Sequence, residues 1–340
     1  MRLNKQFLSV YPLRILLIPV FCLCFSLQAV QAAQMLIPSG QTVGVTMDTK
    51  GLLVLGTGTV DGGNNHVFMP CKGILQAGDL LLEAEGQPLE NKEMFMETIE
   101  HSGGRAVSLL VERNGRERNL SVTPVFSRTD GSYKIGAWIR DSIQGIGTVT
   151  FIDPKKGTFG ALGHGVYDVD TDSLLTIRGG SLTHTELTGI VKGQKGKAGE
   201  LTGQIDLQDK IAAVEENRET GIFGSGEKLT AAEEALPVAA RSEVQKGKAV
   251  ILSDLEGKGI RSYEIEIEEV RKTDSRNHKD MTIRITDEHL LQLTGGIVQG
   301  MSGSPIIQNG KLVGAVTYVM LNEPDRGYGI FIGTMLADAA

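Results

Sequence analysis

The sequence predicts a mainly β protein in which only short segments are helical. Its 340 residues include 43 glycines, while aromatic residues make up only 5%. That composition favours turn-rich β structure over helical bundles. Short apolar runs also recur between glycine-containing turns, which is the pattern of short strands. At this length the chain is expected to form two or three domains.

Composition and charge exclude several classes of function. The formal net charge is −7, and charged residues make up 22% of the chain. Nucleic-acid binding needs a basic surface, so nucleic acid is not an expected partner. Cys71 is the only cysteine beyond the first 33 residues, so neither an intramolecular disulfide nor a zinc site is expected there. No metal, nucleotide or haem motif is predicted, and hence no cofactor.

Residues 1–33 have the pattern of an export segment. Arg2, Lys5 and Arg14 make its beginning basic, and residues 15–30 are uncharged and mostly apolar. Small residues then stand where a signal peptide would be cleaved. The apolar run is shorter than the roughly 20 residues of a comfortable membrane span. Both a cleaved signal peptide and a retained N-terminal anchor remain open, and in either case the rest of the chain is expected to cross a membrane.

Residues 42–125 show a compact, strand-rich pattern that follows a short linker at 34–41. Leu52 to Leu55 reads as an apolar strand, and a glycine turn at 73–79 leads into a second strand at 80–82. Strands of this length between turns indicate a small, independently folded domain.

One helix and one hairpin complete that domain. Asn91 is a suitable N-cap for a helix ending near Glu100, and Met94, Phe95 and Ile99 have the spacing of its inner face. Asn114-Gly115 is a strong hairpin signal between two further strands.

The run Gly-Ile-Leu-Gln-Ala-Gly-Asp-Leu-Leu-Leu at 73–82, followed by Gly-Gln-Pro-Leu at 86–89, resembles a PDZ domain of the bacterial protease type. The resemblance implies that a peptide tail binds by adding a strand to a sheet edge. It implies that Val43, Gly44 and Val45 form the carboxylate-facing loop and that the 91–100 helix lines the groove. A small α/β domain without a peptide ligand is the alternative.

The residues from 135 to 340 form the predicted third part, after a polar, turn-rich boundary at 126–134. Short strands are predicted at 147–152, 263–267, 281–285 and 312–317. Their even spacing favours an all-β barrel or sandwich pair. Weaker signals predict a helical turn at 231–236 and another at 287–293.

The stretch Gly300-Met301-Ser302-Gly303-Ser304-Pro305 carries the clearest chemical signal. A nucleophilic serine needs a sharp turn that exposes its hydroxyl, and backbone N–H groups that face the oxyanion. Glycines on both sides of Ser302 permit such a turn. Ser302 is therefore a candidate nucleophile, and the N–H groups of Gly300 and Ser302 are candidate oxyanion donors. A glycine- and serine-rich strand turn is the structural alternative.

A nucleophilic serine also needs a general base, and a carboxylate usually orients that base. Among six histidines, His164 stands apart because Gly163 and Gly165 flank it at the end of an apolar stretch. The carboxylate is less certain. Asp287 lies at the end of a predicted strand, 302 − 287 = 15 residues before Ser302. The remaining candidates stay open on sequence alone: Asp153, Asp168, Asp170, Asp172 and Asp254.

Three stretches together resemble the stage IV sporulation protein B peptidases, which are serine peptidases of endospore-forming bacteria. They are Ala-Leu-Gly-His-Gly around His164, Ile-Thr-Asp around Asp287, and residues 295–311 around Ser302. The resemblance implies a chymotrypsin-like double β-barrel peptidase domain. It also implies His164 as general base, Asp287 as orienting carboxylate and Ser302 as nucleophile, in the chain order of chymotrypsin.

Two positions depart from expectation. Met301 stands where trypsin-like enzymes have an aspartate before the nucleophile, so activation by a new N-terminal amine is not available. Tyr318 stands at or near a position where a histidine is expected in relatives. Control of activity is therefore expected from the PDZ domain, from self-cleavage or from a partner.

The resemblance implies a signalling role in sporulation. The protein is expected to be exported across the forespore membrane into the intermembrane space. There it would cleave the extracytoplasmic part of a membrane-embedded regulator and itself, and so release an intramembrane metalloprotease that activates a late mother-cell sigma factor. An inactive peptidase-like scaffold with a PDZ domain is the main alternative. A general quality-control protease is a weaker alternative. Such enzymes usually have the PDZ domain after the peptidase domain, whereas here it comes before it.

Overall fold

The computed structural model describes residues 34–64, 66–168, 172–230, 234–271 and 278–339. The predicted export segment at 1–33, the candidate Asp170 and residues 231–233 lie outside the described residues. Within the described ranges, no helix is both long and apolar enough to cross a membrane.

Strands account for most of the described structure. Their bounds are β1 (Met35–Pro38), β2 (Thr42–Thr57), β3 (Val60–Gly63), β4 (His66–Phe68), β5 (Leu80–Ala84), β6 (Gln87–Pro88), β7 (Val107–Arg113), β8 (Arg116–Val122), β9 (Val125–Ser127), β10 (Ser132–Lys134), β11 (Ala137–Asp153), β12 (Thr158–Ala161), β13 (Tyr167–Asp168), β14 (Ser173–Leu174), β15 (Ile177–Val191), β16 (Gly199–Arg218), β17 (Gly221–Ser225), β18 (Leu236–Pro237), β19 (Gly247–Ser253), β20 (Arg261–Val270), β21 (Met281–Ile285), β22 (Val298–Gln299), β23 (Pro305–Gln308), β24 (Lys311–Met320) and β25 (Glu323–Phe331). The helices are α1 (Lys92–His101), α2 (Glu288–Thr294) and α3 (Ile332–Asp338), with a 3-10 turn at Arg241–Glu243.

Six strands pair in a closed ring that we call the first barrel. The order is β2, β11, β12, β17, β16 and β15, with β15 pairing back to β2, and every pair is antiparallel. Alternate residues Val43, Val45 and Met47 of β2 point inward, because side chains on a strand alternate between its faces. They pack with Phe159 and Leu182 in the barrel core.

A second ring of six strands follows in the sequence. The strands β19, β20, β21, β25, β24 and β23 form a closed barrel, the second barrel. Its core contains Ile251, Ile265, Ile283 and Ile306, all of which are buried. Full closure leaves no unpaired strand edge. The two barrels confirm the predicted double-barrel peptidase fold.

The PDZ-like part contains β3 to β8 and helix α1, packed around a core of its own. Helix α1 begins where the sequence predicts, because Asn91 caps it by accepting from the Met94 N–H at 2.8 Å. Phe95 and Ile99 are its buried residues. Asn114 has a φ of 52° in the tight turn between β7 and β8, as the hairpin signal predicts.

Strand β2 belongs to both parts, which corrects the predicted position of the carboxylate-facing loop. Its residues 42–48 pair with β11 and residues 44–49 with β15, so this half of the strand lies in the first barrel. Gly44 and Val45 are therefore central strand residues with partners on both sides, and Val43 pairs with Gly147 of β11. Their identification as a carboxylate-facing loop is wrong, because their backbone is already hydrogen-bonded within the sheet.

Two further predictions of irregular or helical structure are wrong. The expected linker at 34–41 contains β1, which pairs with β11 and with β18. The helical turn expected at 231–236 is contradicted at its described end, because Leu236 belongs to β18. Leu36 is fully buried, so burial of this side chain explains why the segment is held in the sheet.

Candidate active site

Ser302 lies in a tight turn between β22 and β23. Gly300 and Gly303 have φ values of 100° and 97°, which residues with side chains rarely adopt. A Cβ atom at Gly303 would also collide with the carbonyl oxygen of Thr148. Glycine is therefore required on the C-terminal side of Ser302 both for conformation and for space, as the sequence motif predicts.

Two threonines of β11 hold this turn. The Thr148 hydroxyl donates to the Gly300 carbonyl at 2.7 Å, and the Thr150 hydroxyl donates to the Gly303 carbonyl at 2.8 Å. The Thr148 N–H also donates to the Ser302 carbonyl at 3.0 Å. Both threonines are fully buried. The first barrel thus fixes the backbone on which the nucleophile of the second barrel is mounted.

His164 lies in a turn that follows β12. Leu162 and Gly163 both have a φ of 68°, which turns the chain sharply after the strand. The Leu162 N–H donates to the Thr148 carbonyl at 3.1 Å, and the Gly165 N–H donates to the Glu219 carbonyl at 3.0 Å. Thr148 therefore contacts the turn of His164 as well as the turn of Ser302.

The protonation state of His164 suits a general base. Its Nδ1 lies 2.8 Å from the Gly165 carbonyl oxygen, and because a carbonyl only accepts, the proton must be on Nδ1. The Nε2 lone pair is then available to accept a proton. Burial lowers the pKa of His164, while the bond to the Gly165 carbonyl acts in the opposite direction. The imidazole is therefore neutral at neutral pH.

His164 and Ser302 line the same cleft, which has a volume of about 840 Å³. Gly300, which carries one of the predicted oxyanion donors, also lines it. The Ser302 hydroxyl donates to the Thr317 carbonyl at 2.8 Å rather than to His164. Without substrate, catalytic hydrogen bonds are often not yet formed. Catalysis requires the Ser302 hydroxyl to turn from the Thr317 carbonyl towards the imidazole of His164.

Asp287 does not join this pair. Its carboxylate caps helix α2 by accepting from the Leu290 N–H at 2.8 Å, and it also accepts from the Glu264 N–H at 3.3 Å. His164 instead bonds to the Gly165 carbonyl and stacks on Tyr318. Among the described residues, the structure shows the Asp287 carboxylate engaged in helix capping and no hydrogen bond from it to His164, so its role as the orienting carboxylate stays a prediction.

The other candidate carboxylates also have separate partners. Asp168 is buried and forms an ion pair with Arg140 at 3.2 Å. Asp153 accepts from two N–H groups in the turn after β11, and Asp254 does so in the turn after β19. Asp172 lies in the turn before β14, with a φ of 53°. In the described structure, the orienting contact to His164 comes from a main-chain carbonyl.

The two unexpected residues flank the pair directly. Met301 is fully buried and its sulfur accepts from the Val298 N–H at 3.5 Å. An apolar contact thus stands where trypsin-like enzymes form an ion pair. The Tyr318 ring stacks on the imidazole of His164, with 4.8 Å between centroids and an angle of 21°. Tyr318 was noticed in the sequence only as a departure, and its contact with His164 required the fold.

One family model and several solved structures are similar to parts of the chain. The family model described as SpoIVB peptidase S55 matches residues 131–336. No curated protein matches the chain. The PDZ domain of the SdrC-like protein from Listeria monocytogenes is 20% identical over 26% of this chain and 87% of that chain, with a TM-score of 0.22.

Two proteases are also similar in structure. The active form of the Rv3671c protease from M. tuberculosis is 17% identical over 58% of this chain and 75% of that chain, with a TM-score of 0.36. The HtrA-type protease AlgW, solved with a tripeptide, is 12% identical over 57% of this chain and 54% of that chain, with a TM-score of 0.33.

The match to the family model spans both barrels from β11 onward and includes His164 and Ser302. A half-buried serine in a glycine-flanked turn and a neutral histidine in the same cleft are the two groups that serine peptidase chemistry uses. The chain is a serine endopeptidase, and it belongs to the SpoIVB peptidase S55 family.

Proposed function

We propose that this peptidase is exported across the forespore membrane and cleaves the extracytoplasmic part of a membrane-embedded regulator. That cleavage would release an intramembrane metalloprotease and so activate a late mother-cell sigma factor. Self-cleavage near the N-terminus belongs to the same proposal. The family match supports the sporulation role, and the basic and apolar pattern of residues 1–33 supports export.

The sporulation role rests on the family match, and the observation that carries the peptidase chemistry is the shared attachment of both catalytic turns to Thr148. Its carbonyl accepts from Leu162 beside His164, and its N–H and hydroxyl hold the Ser302 turn. Acylation would transfer the Ser302 proton to Nε2 of His164 while the Ser302 oxygen attacks the substrate carbonyl. The histidine then protonates the leaving amine, and water hydrolyses the acyl-enzyme by the reverse use of the same groups.

A fluorophosphonate probe tests the activity, because it labels only an activated serine. We expect the full chain in detergent micelles to be labelled, and we expect Ser302→Ala to lose labelling and at least about 10⁴-fold in peptide cleavage. His164→Ala should lose labelling too. Undiminished cleavage by Ser302→Ala would contradict the mechanism. An unlabelled wild-type chain that still binds peptides would favour the inactive scaffold.

The signalling step has its own test. The wild-type chain and Ser302→Ala are each incubated with the extracytoplasmic segment of the membrane-embedded regulator from the same bacterium. We expect a single new pair of fragments with wild type alone. Intact regulator beside rapid degradation of casein would favour a general quality-control protease instead.

We also propose a new location for the peptide-tail site of the PDZ-like part, in the loop between β10 and β11. Gly136 has a φ of 68°, and neither the Ile135 nor the Gly136 N–H has a hydrogen-bond partner in the described part of the chain. Successive free N–H groups around a left-handed residue form a site for a carboxylate. Helix α1 lies beside this loop, since Glu100 accepts from the Tyr133 N–H at 2.7 Å.

Binding of peptides with free and amidated C-termini tests that location. We expect a library of random C-terminal peptides to be retained only when the carboxylate is free. Gly136→Ala should weaken retention, because the left-handed conformation disfavours a side chain. Gly131 has the same φ of 68° and open space around it, so Gly131→Ala is the matched control. Equal retention of amidated peptides would refute the site.

A further inference from the structure

We propose that this enzyme cleaves after an uncharged, apolar residue, and that Ile297, Val298 and Val319 form the pocket that selects it. The inference rests on the peptidase activity above and names its substrate class. All three residues line the cleft that contains Ser302 and His164.

The geometry of acylation places the selected side chain. The attacked carbonyl carbon must approach Ser302 Oγ to about 3 Å, with its oxygen towards the N–H groups of Gly300 and Ser302. The side chain of the same substrate residue then falls between the two segments that flank the nucleophile. These are residues 297–299, which lead into the turn, and residues 318–321, which follow the Thr317 carbonyl that Ser302 contacts.

The floor between these segments is apolar. Ile297 and Val298 are each 2% exposed, and Val319 packs against the core of the second barrel. Gly327 pairs with Val319 across β24 and β25, and a Cβ atom at Gly327 would lie 2.5 Å from Ile297 Cδ1. The missing side chain at Gly327 therefore leaves room for Ile297 at the base of the pocket.

No charged side chain comes from this wall of the cleft within the described residues. Three ionisable residues of the described chain line the cleft: Tyr318 of the second barrel carries a phenol, whereas His164 and Glu200 are contributed by the first barrel. A lysine, arginine, aspartate or glutamate side chain placed against Ile297 and Val319 would exchange water for apolar neighbours. An aliphatic side chain would instead gain free energy from burial.

Cleavage-site mapping tests the inference. The full chain in detergent micelles is incubated with peptides from a denatured bacterial proteome, and new termini are identified by mass spectrometry. We expect valine, leucine, isoleucine, methionine or alanine before most scissile bonds. A majority of charged residues directly before the scissile bonds would overturn the inference. An enzyme whose Ser302 is labelled by the fluorophosphonate probe but which cleaves none of the peptides would overturn it too. A wild-type enzyme that the probe does not label would instead contradict the peptidase activity itself.

A substitution in the pocket sharpens the test. We expect Val319→Asp to lower kcat/KM for substrates with a leucine before the scissile bond by about tenfold or more relative to those with a lysine. Leu207→Asp is the matched control, because Leu207 is 44% exposed on β16 and does not line the cleft. An unchanged leucine-to-lysine ratio in folded, phosphonate-reactive Val319→Asp would refute the role of Val319.

Discussion

The backbone of the Ser302 turn and the imidazole ring of His164 are held in different ways. The Ser302 turn is bonded through several main-chain groups, to Thr148 and Thr150 of the first barrel and to Val316 of the second. The His164 imidazole is held by one main-chain carbonyl and one stacked ring. The nucleophile's backbone is therefore fixed by the fold, whereas the base keeps some freedom to adjust.

This difference locates where control can act. A turn whose carbonyls are buried and bonded cannot move without losing hydrogen bonds that water cannot replace. The Ser302 hydroxyl and the His164 ring can reorient without breaking that framework. Substrate or a partner would then complete the site by moving side chains, in contrast with enzymes that rebuild the oxyanion loop around a buried aspartate, a position that Met301 fills here.

A substitution of Thr148 gives the largest expected effect on the fixed backbone of the Ser302 turn. Thr148→Val keeps the shape of the side chain but leaves the buried Gly300 carbonyl without its donor. We expect kcat to fall by about 10- to 100-fold, because small displacements of reacting groups are costly. The free energy of unfolding should fall by about 1–3 kcal/mol, the cost of an unsatisfied buried group. Steady-state kinetics and denaturant titration measure the two effects.

Thr183→Val is the matched control for that prediction. Thr183 is also fully buried in the first barrel, but its hydroxyl faces Gly44 at 3.5 Å and touches neither catalytic turn. If both valine variants lose the same small amount of activity, the special role of Thr148 is refuted. A loss confined to Thr148→Val would show that the first barrel positions the nucleophile.

Local signals allowed much of the site to be predicted. The glycines around Ser302 and His164 mark turns whose positive φ values the structure then shows, and Asn91 marks the start of α1. These features depend on a few neighbouring residues. The role of Thr148 depends on a partner 152 residues away, and a threonine inside a strand carries no signal of such a contact.

Long strands that cross a domain boundary also cannot be assigned to one domain from the neighbouring sequence alone. Strand β2 spans the first barrel and the PDZ-like part, and β11 runs beside it through both. Sequence patterns place Val43 to Val45 next to the PDZ-like motifs, yet pairing with β15 assigns them to the barrel. The helix at 287–293 is predicted from the sequence, but its capping by Asp287 is not, because the resemblance assigns Asp287 a catalytic role instead.

Substitutions of Asp287 test whether the His164 imidazole is oriented without a carboxylate. Capping a helix and orienting a histidine can be separated at this residue. Asparagine caps a helix about as well as aspartate does but cannot act as an orienting carboxylate. We expect Asp287→Asn to keep kcat within about threefold of wild type, and Asp287→Ala to lose about 1 kcal/mol of folding stability. Kinetics and thermal unfolding of both variants measure this.

The alternative predicts a much larger effect. If Asp287 reached His164 during catalysis, Asp287→Asn would lower kcat by about 10⁴-fold, as the corresponding change does in the chymotrypsin-type triad. Such a loss in a fully folded variant would show that the helix cap opens to orient the base. Retained activity would instead leave the Gly165 carbonyl as the group that fixes the His164 tautomer, since that bond is already present without any carboxylate.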